Sequence, residues 1–306
     1  MPFELASIGV PFRMQPGLAR LAAGHAPPLT PARAGSRHLR EKTAVLAAFP
    51  GRALAAVETF DAGEALSAVA GASNGAFSFA GSAGASAPGI GWSLRRGEPV
   101  GDGEPTIGRA LAGLPAPMRA GALACLAFEE DLAVVDGASG TVPWLAVALP
   151  SRWAPEDKAG LSLMSIHGSV ADGERLRAAS ASLVALATSG DSFERFVWTV
   201  SPDPRLHQHP SHGFVGWEDG DSAEALAAGA SLRHERQAFL PVPGRRQAVF
   251  TIRVASEPLA KAVKTAADAA RLHAAIASMS PAVLDYKGLA SARTRLLDWL
   301  AVRTSA

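Results

Sequence analysis

The stretch covering residues 144–170 carries the side chain with the clearest chemical potential, His167. It opens with an apolar run, residues 144–149, which is typical of a buried strand and ends at Pro150, where no N–H is available to a sheet. A second apolar run, residues 161–166, leads directly into His167. A histidine at the rim of an apolar wall suits the axial ligand of a flat hydrophobic cofactor. A lone histidine beside a strand is more often a hydrogen-bonded core or rim residue, and the residues alone favour that role.

Three other groups have side chains that can do chemistry. Cys125, the single cysteine, lies in an apolar run with no activating neighbour, so a buried inert thiol is favoured over a thiolate ligand. His207, His209 and His212 share one polar segment. No cysteine or carboxylate completes a metal-ligand set at standard spacing, so a solvent-exposed loop is favoured there. The three consecutive acids at residues 129–131 are expected to form a turn between strands.

The pattern P-S-x-W-x-P-x-x-K-x-G-x-x-L-x-x-I-H-x-x-V around His167 resembles the haem-dependent oxidative N-demethylase alpha-subunit family. Other blocks resemble that family in the same order along the chain. They are residues 12–18 (FRMQPGL), 128–132 (FEEDL), 232–237 (LRHERQ) with the following Leu240-Pro241 and strand 249–253, and 285–289 (DYKGL). Several such blocks in the right order are hard to obtain by chance, and the resemblance spans about residues 12–300.

The resemblance implies a haem b protein whose haem-binding half has a PAS-like fold. His167 would then be the axial ligand of the iron, with Met164, Ile166 and Trp198 lining the cofactor. Haem propionates favour arginine, because a planar guanidinium binds a carboxylate through two hydrogen bonds. The candidate arginines, on or beside the matching blocks, are Arg195, Arg233, Arg236 and Arg253.

Glu235 is the candidate catalytic residue that the resemblance suggests. A carboxylate near the iron can bind a cationic amine substrate, although Glu235 can also orient an arginine or cap a helix. The family has R-x-N-W where this chain has Arg195-Phe196-Val197-Trp198. Any hydrogen bond that the family's Asn makes is therefore missing at Val197.

The implied activity is a haem-dependent monooxygenase reaction, in which dioxygen is consumed and a small methylamine is N-demethylated to release formaldehyde. Electrons would come from a separate flavin and iron–sulfur reductase, a ferredoxin-type partner. Neither a G-x-G-x-x-G nor a P-loop pattern appears, so nicotinamide or flavin binding within the chain is unsupported. Two alternatives remain open: a non-catalytic haem-binding PAS-like sensor or carrier, and a degenerate structural subunit without cofactor.

Composition limits the partners of the chain. The formal net charge is +1 over 306 residues, so there is no electrostatic case for nucleic acid or for an anionic membrane. No apolar stretch reaches the roughly 18 residues that a spanning helix needs. One cysteine excludes an internal disulfide framework, and no signal peptide is indicated, so a cytoplasmic location is expected.

The strands and helices predicted around these residues indicate an α+β fold: a PAS-like antiparallel sheet with flanking N- and C-terminal helices. Three regions are expected: residues 1–117, helical or irregular; 118–255, the haem-binding sheet region; and 256–306, C-terminal helices packed on the same body. Strands are predicted at residues 123–128, 132–136, 142–149, 193–200 and 248–254. Helices are predicted at residues 36–48, 61–70, 172–187 and 222–239 and beginning near 256 and 280, and residues 71–91 as a mobile loop.

Overall fold

The computed structural model describes residues 3–15, 17–21, 28–166, 168 and 180–304. The strands are β1 (Ala19–Arg20), β2 (Leu54–Ala56), β3 (Ser78–Phe79), β4 (Gly84–Ala87), β5 (Trp92–Arg95), β6 (Glu98–Gly101), β7 (Asp131–Asp136), β8 (Trp144–Ala146), β9 (Phe193–Ser201), β10 (Ser231–Pro241) and β11 (Gln247–Pro258). The α-helices are α1 (Arg37–Ala48), α2 (Pro50–Ala53), α3 (Gly63–Ala72), α4 (Pro105–Ala112), α5 (Ala116–Ala127), α6 (Leu163–Ile166), α7 (Ser180–Ala187), α8 (Ala223–Gly229), α9 (Leu259–Ala262), α10 (Ala266–Ala277), α11 (Pro281–Lys287) and α12 (Arg293–Thr304).

Within the described residues, seven strands form one sheet in the order β1-β9-β10-β11-β7-β8-β2. Every neighbouring pair in this sheet is antiparallel. The long strands β9, β10 and β11 lie side by side, and β10 is paired along its length with β11 and along most of it with β9. The α+β class and the antiparallel sheet are therefore confirmed.

Residues 71–91 were expected to be a mobile loop, and that expectation is wrong. They complete α3 and begin a four-stranded antiparallel sheet, β3-β4-β5-β6. Glycine serves close packing here: a Cβ at Gly84, where φ is +147°, would lie 2.0 Å from the carbonyl oxygen of Leu94. Only glycine allows two backbones to approach so closely, so this composition indicates tight strand contacts.

Two predicted elements have the wrong type. The predicted helix 222–239 is split into helix α8 and strand β10, because pairing on both edges of β10 overrides local helix propensity. The predicted strand 123–128 is the end of helix α5, in which every residue from Gly121 to Ala127 is buried. A short continuous apolar run does not distinguish a buried strand from a buried helix, and here the helix is correct.

Two serine signals at helix starts are confirmed, whereas the helix predicted from Asp61 begins at Gly63 without a side-chain cap. Ser36 caps α1 through a hydrogen bond from the backbone N–H of Leu39, as the predicted helix start near residue 36 requires. Ser280 caps α11 in the same way, with Pro281 in the first turn. The helix expected near residue 256 begins at Leu259 instead, since β11 extends to Pro258. Part of the predicted helix 172–187 lies outside the described residues, and its described part is α7.

A charged pair lies inside the largest apolar cluster. The side chains of Lys42 and Asp131 are both 0% exposed, with Nζ 3.0 Å from Oδ1. Lys42 also donates to the carbonyl oxygens of Cys125 and Phe128, which lie at the end of α5, where carbonyls lack helical partners, and to that of Glu130 just beyond it. Burial disfavours the ammonium, but Asp131 and the neighbouring Cys125 and Glu130 outweigh burial and raise the pKa of Lys42, so Lys42 stays charged.

The first prediction follows from this pair. Lys42→Met should lower the free energy of unfolding by about 3–5 kcal/mol, because the buried Asp131 carboxylate would lose its counter-charge. The exposed Lys261→Met is the matched control and should stay within about 0.5 kcal/mol of wild type. Urea denaturation measures both values. A loss below about 1 kcal/mol in Lys42→Met would contradict the role of the pair.

Candidate functional site

Strand β10 distributes the candidate residues between two faces of the sheet. Successive side chains of a strand point to opposite faces, so Arg233, Glu235 and Gln237 share one face. His234 and Arg236 lie on the other face. The contacts agree, because Ser151 reaches Glu235 on the first face, while Phe3 stacks on His234 on the second.

Glu235 is at the centre of a hydrogen-bonded group, the Glu235 cluster, made of Ser151, Arg195, Arg233, Glu235 and Gln237. Ser151 Oγ donates to Glu235 Oε1, and Gln237 Nε2 donates to Glu235 Oε2 at 2.6 Å. Arg195 Nε donates to Gln237 Oε1, also at 2.6 Å. Both carboxylate oxygens of Glu235 are therefore engaged by neutral donors, and an arginine is linked to Glu235 through an amide.

Arg233 extends the cluster into the neighbouring loop. Its side chain donates to Ser151 Oγ at 2.7 and 2.9 Å and to the carbonyl oxygens of Arg205 and Leu206 at 2.8 and 2.9 Å. The residue is 2% exposed, and burial lowers the pKa of its guanidinium to about 10. Its donors therefore hold the loop 205–206 against segment 150–151.

The end of helix α11 borders the cluster. The backbone carbonyl of Lys287 accepts from Thr199 Oγ1 at 3.4 Å, and Lys287 Nζ donates to the carbonyl oxygen of Trp198 at 2.6 Å. Burial lowers the pKa of Lys287 to about 8, opposed by the charge of Glu235. Burial raises the pKa of the neighbouring Tyr286, and the charge of Glu235 adds to that shift.

Beyond the cluster, the same face of the sheet becomes apolar. Phe239 and Phe250 form a cross-strand stacked pair with ring centroids 4.7 Å apart, and Phe193 lies opposite Phe239 on β9. Ile166, at the end of α6, packs against this apolar cluster, whereas Met164 is 55% exposed. His167 follows Ile166 and lies outside the described residues. One continuous face thus has an aromatic part and a charged part.

Three of the residues named from the sequence lie on the opposite face or away from the cluster. Arg236 forms an ion pair with Glu194 at 2.8 Å. Trp198 is buried, and its ring contacts Phe12 edge-on at 5.7 Å. Arg253 is paired with Glu129. The structure therefore brings together Arg195, Arg233 and Glu235 and places these three residues elsewhere.

The rival groups occupy well-packed positions. His209 is 4% exposed and hydrogen-bonds Glu156 at 3.1 Å, so the segment 207–212 is partly buried, and the expected solvent loop is wrong in this respect. Across the part of the chain that the structure describes, no group of three or more His, Cys, Asp or Glu side chains has an arrangement that holds a metal ion. Cys125 is buried, and burial raises the pKa of its thiol to about 12. Residues 129–131 do not form a simple turn between strands, because they join helix α5 to strand β7.

Sequence reasoning named Glu235 but missed the residues that bind it. Gln237 follows Glu235 by two positions, and recognition of β10 as a strand would have placed both on one face. Ser151 comes from a segment 84 residues away, and nothing local links it to Glu235. Gln237 becomes a partner of Glu235 through strand alternation, and Ser151 does so through the tertiary packing of a segment outside the strands of the sheet.

A comparison with protein-family models identifies the class. Residues 111–297, more than half of the chain, match the model described as haem-dependent oxidative N-demethylase, alpha subunit-like. The chain belongs to this family, and the resemblance found in the sequence is confirmed. The matched region includes the whole Glu235 cluster, whereas the block at residues 12–18 lies outside it.

None of the helices that the structure describes combines the length and the apolar character needed to cross a bilayer.

The buried imidazole of His234 generates a pH prediction. Burial, followed by the charges of Arg253 and Arg233, lowers the pKa of His234 to about 4, whereas an unfolded histidine titrates near roughly 6.5. The unfolded chain therefore takes up this proton first as the pH falls. The stability from neutral His234 is present above about pH 6.5 and is lost progressively towards pH 4.

Replacing His234 with phenylalanine should remove this dependence, since phenylalanine can keep the stacking on Phe3 without titrating. Between pH 7 and pH 5 the wild type should lose roughly 2 kcal/mol relative to His234→Phe. Urea denaturation of both proteins at several pH values measures this difference. A difference that stays constant over this range would show that the imidazole is not held neutral by the fold.

Proposed function

We propose that this chain is a haem b monooxygenase-like protein that oxidatively N-demethylates a small methylamine and releases formaldehyde. The observation that carries the proposal is the family match over residues 111–297, which includes the Glu235 cluster and the aromatic face beside it. When bound, haem b supplies dioxygen activation for hydroxylation of an N-methyl group. The reducing equivalents would come from a separate flavin and iron–sulfur reductase.

The residues on this face fit a haem group. A porphyrin needs an apolar wall for its ring and cations for its propionates, and such a site is mostly apolar with a few placed polar groups. Phe193, Phe239 and Ile166 supply the wall in this proposal, with Arg195 as the guanidinium nearest to it along the face. His167, immediately after Ile166, is the proposed axial ligand. Residues 118–255 are the proposed PAS-like haem-binding region.

Glu235 is proposed to bind the amine. A methylamine is cationic at neutral pH, and Glu235 is a carboxylate held in position by Ser151 and Gln237. This placement favours amine binding over the alternative of a helix cap, because Glu235 lies in the middle of a strand. Trp198, Arg236 and Met164 are left without an assigned cofactor contact in this arrangement.

The cofactor part of the proposal has a direct test. The chain purified from haem-supplemented cells should carry near-stoichiometric haem b with a Soret band, and His167→Ala should lose or strongly shift that band. His234→Ala is the control, because His234 lies on the opposite face of β10. An unchanged spectrum in His167→Ala with a lost band in His234→Ala would move the haem to the other face. A colourless wild type that also refuses added hemin would contradict the haem proposal itself.

Val197 favours one alternative, a haem-binding sensor or carrier without turnover. It lies directly opposite Glu235 in the β9–β10 pairing, where the family pattern has asparagine. An Asn side chain there would supply an amide beside the carboxylate, and valine supplies none.

Formaldehyde release distinguishes the two functions. With an electron source proven on a relative, Val197→Asn should release formaldehyde from a small methylamine at least as fast as wild type. Formaldehyde and the demethylated amine are quantified together, and Val200→Asn on the opposite face is the control. Binding of carbon monoxide by the ferrous protein without formaldehyde from either wild type or Val197→Asn would favour the sensor.

A further inference from the structure

Arg152 adopts a backbone conformation that is unusual for a long side chain. Its φ is +64°, in the left-handed region that non-glycine residues occupy only a few per cent of the time. The conformation is maintained by neighbouring contacts, because Ser151 forms a bridge with Gln208 and the Arg152 N–H donates to the Gln208 carbonyl oxygen at 2.9 Å. Such strain persists where the surroundings fix the backbone, and it often occurs at ligand sites.

The side chain of Arg152 contacts Gly288 and Phe214. Its guanidinium lies over Gly288, where a Cβ would be 2.3 Å from Nη1. Its Cζ is 5.4 Å from the ring centroid of Phe214, a cation–π contact. Gly288 also has φ +67° at the end of α11, a conformation that favours glycine at this position. The guanidinium is therefore held between a glycine backbone and an aromatic ring.

Among the described residues, the Arg152 guanidinium has neither an ion pair within 4.0 Å nor a side-chain hydrogen bond. The acid whose charge acts on it, Asp203, is already bound to Arg205 by three hydrogen bonds of 2.6–3.1 Å. Burial lowers the pKa of Arg152, opposed by the charge of Asp203, so the guanidinium is partly removed from water without a direct ion-pair partner among the described residues.

A second cation, Arg233, lies close enough for its charge and that of Arg152 to act on each other. Arg233 donates to neutral oxygens of Ser151 and of three backbone carbonyls, and the charges of Glu235, Asp203 and Glu41 stabilise its guanidinium. A partly buried guanidinium without an ion-pair partner, such as that of Arg152, is costly, so this arrangement favours a bound anion at Arg152.

We propose that Arg152 is a carboxylate-binding residue at the edge of the Glu235 cluster. A guanidinium fork matches a carboxylate through two hydrogen bonds, and the nearby positive charge of Arg233 strengthens the attraction. Two molecules can supply the carboxylate: a haem propionate, or a substrate that carries a carboxylate beside its N-methyl amine. The identity of either source rests on the proposed function, whereas the anion site itself does not.

The experiment compares Arg152→Gln with wild type, with Arg152→Lys as the charge-retaining variant. Arg271→Gln, at an exposed position on α10, is the matched control. In the porphyrin arm, fluorescence measures the affinity of the haem-free chain for protoporphyrin IX and for its dimethyl ester, which has no free carboxylates. In the substrate arm, difference absorption measures the affinity of the haem-loaded chain for N-methylglycine and for dimethylamine.

If the propionate is bound, the preference of wild type for the free acid should fall about ten-fold to one-hundred-fold in Arg152→Gln and less in Arg152→Lys. If the substrate carboxylate is bound, Arg152→Gln should instead lose about ten-fold or more in affinity for N-methylglycine, with dimethylamine unchanged. Arg271→Gln should match wild type in both arms. Equal affinities in wild type and Arg152→Gln in both arms would overturn the assignment.

Failure of the proposed function gives a different result. If wild type binds neither porphyrin nor hemin, the haem proposal fails, and calorimetric titration of the haem-free chain with N-methylglycine tests the anion site alone. Saturable binding in wild type that is lost in Arg152→Gln but kept in Arg271→Gln would support the carboxylate site. Equal heats in wild type and Arg152→Gln would overturn it.

Discussion

The buried ion pair between Lys42 and Asp131 is the constraint on which the rest of this structure depends. Asp131 Oδ1 lies 3.0 Å from Lys42 Nζ, and Oδ2 accepts the backbone N–H of Leu149 at 2.7 Å. A buried pair is tolerated only when the remaining protons and oxygens are also hydrogen-bonded, so helix α1, strand β7 and Leu149 must be positioned together. Leu149 is followed by Pro150, Ser151 and Arg152. The Lys42–Asp131 pair therefore positions residues 149–152, the segment from which Ser151 hydrogen-bonds to Glu235.

The loop after β9 depends on the same region of the core. Glu41, one residue before Lys42 on α1, accepts the backbone N–H groups of Leu206 and His207 at 3.0 and 3.1 Å. Arg233 binds the carbonyl oxygen of Leu206 from the other side at 2.9 Å. Charged side chains from a helix and from a strand therefore satisfy opposite edges of one loop backbone, as buried polar groups require. These contacts hold residues 206–207 beside Arg233, a member of the Glu235 cluster.

Sequence patterns predicted the parts of the fold that local chemistry controls. Ser36 and Ser280 predicted helix starts, because a cap depends on residues within one turn. Alternation over residues 193–200 predicted β9. Prediction failed at β10 and at the end of α5, where both sides of the element are buried and the apolar period disappears. It failed also at residues 71–91, where glycines permit close strand packing that composition alone does not distinguish from flexibility.

The sequence by itself determined the family and the α+β class, and it predicted a site at the block containing Arg233 and Glu235, since these inferences depend on residue order. Only the tertiary structure decided that Arg236 and Trp198 face away from Glu235, and that Ser151, Gln237 and Arg152 surround or border it. The physical reason is strand alternation combined with long-range packing. Alternation directs neighbouring residues to opposite faces, and tertiary packing of the segment after β8 brings Ser151 to Glu235 across 84 positions of the chain.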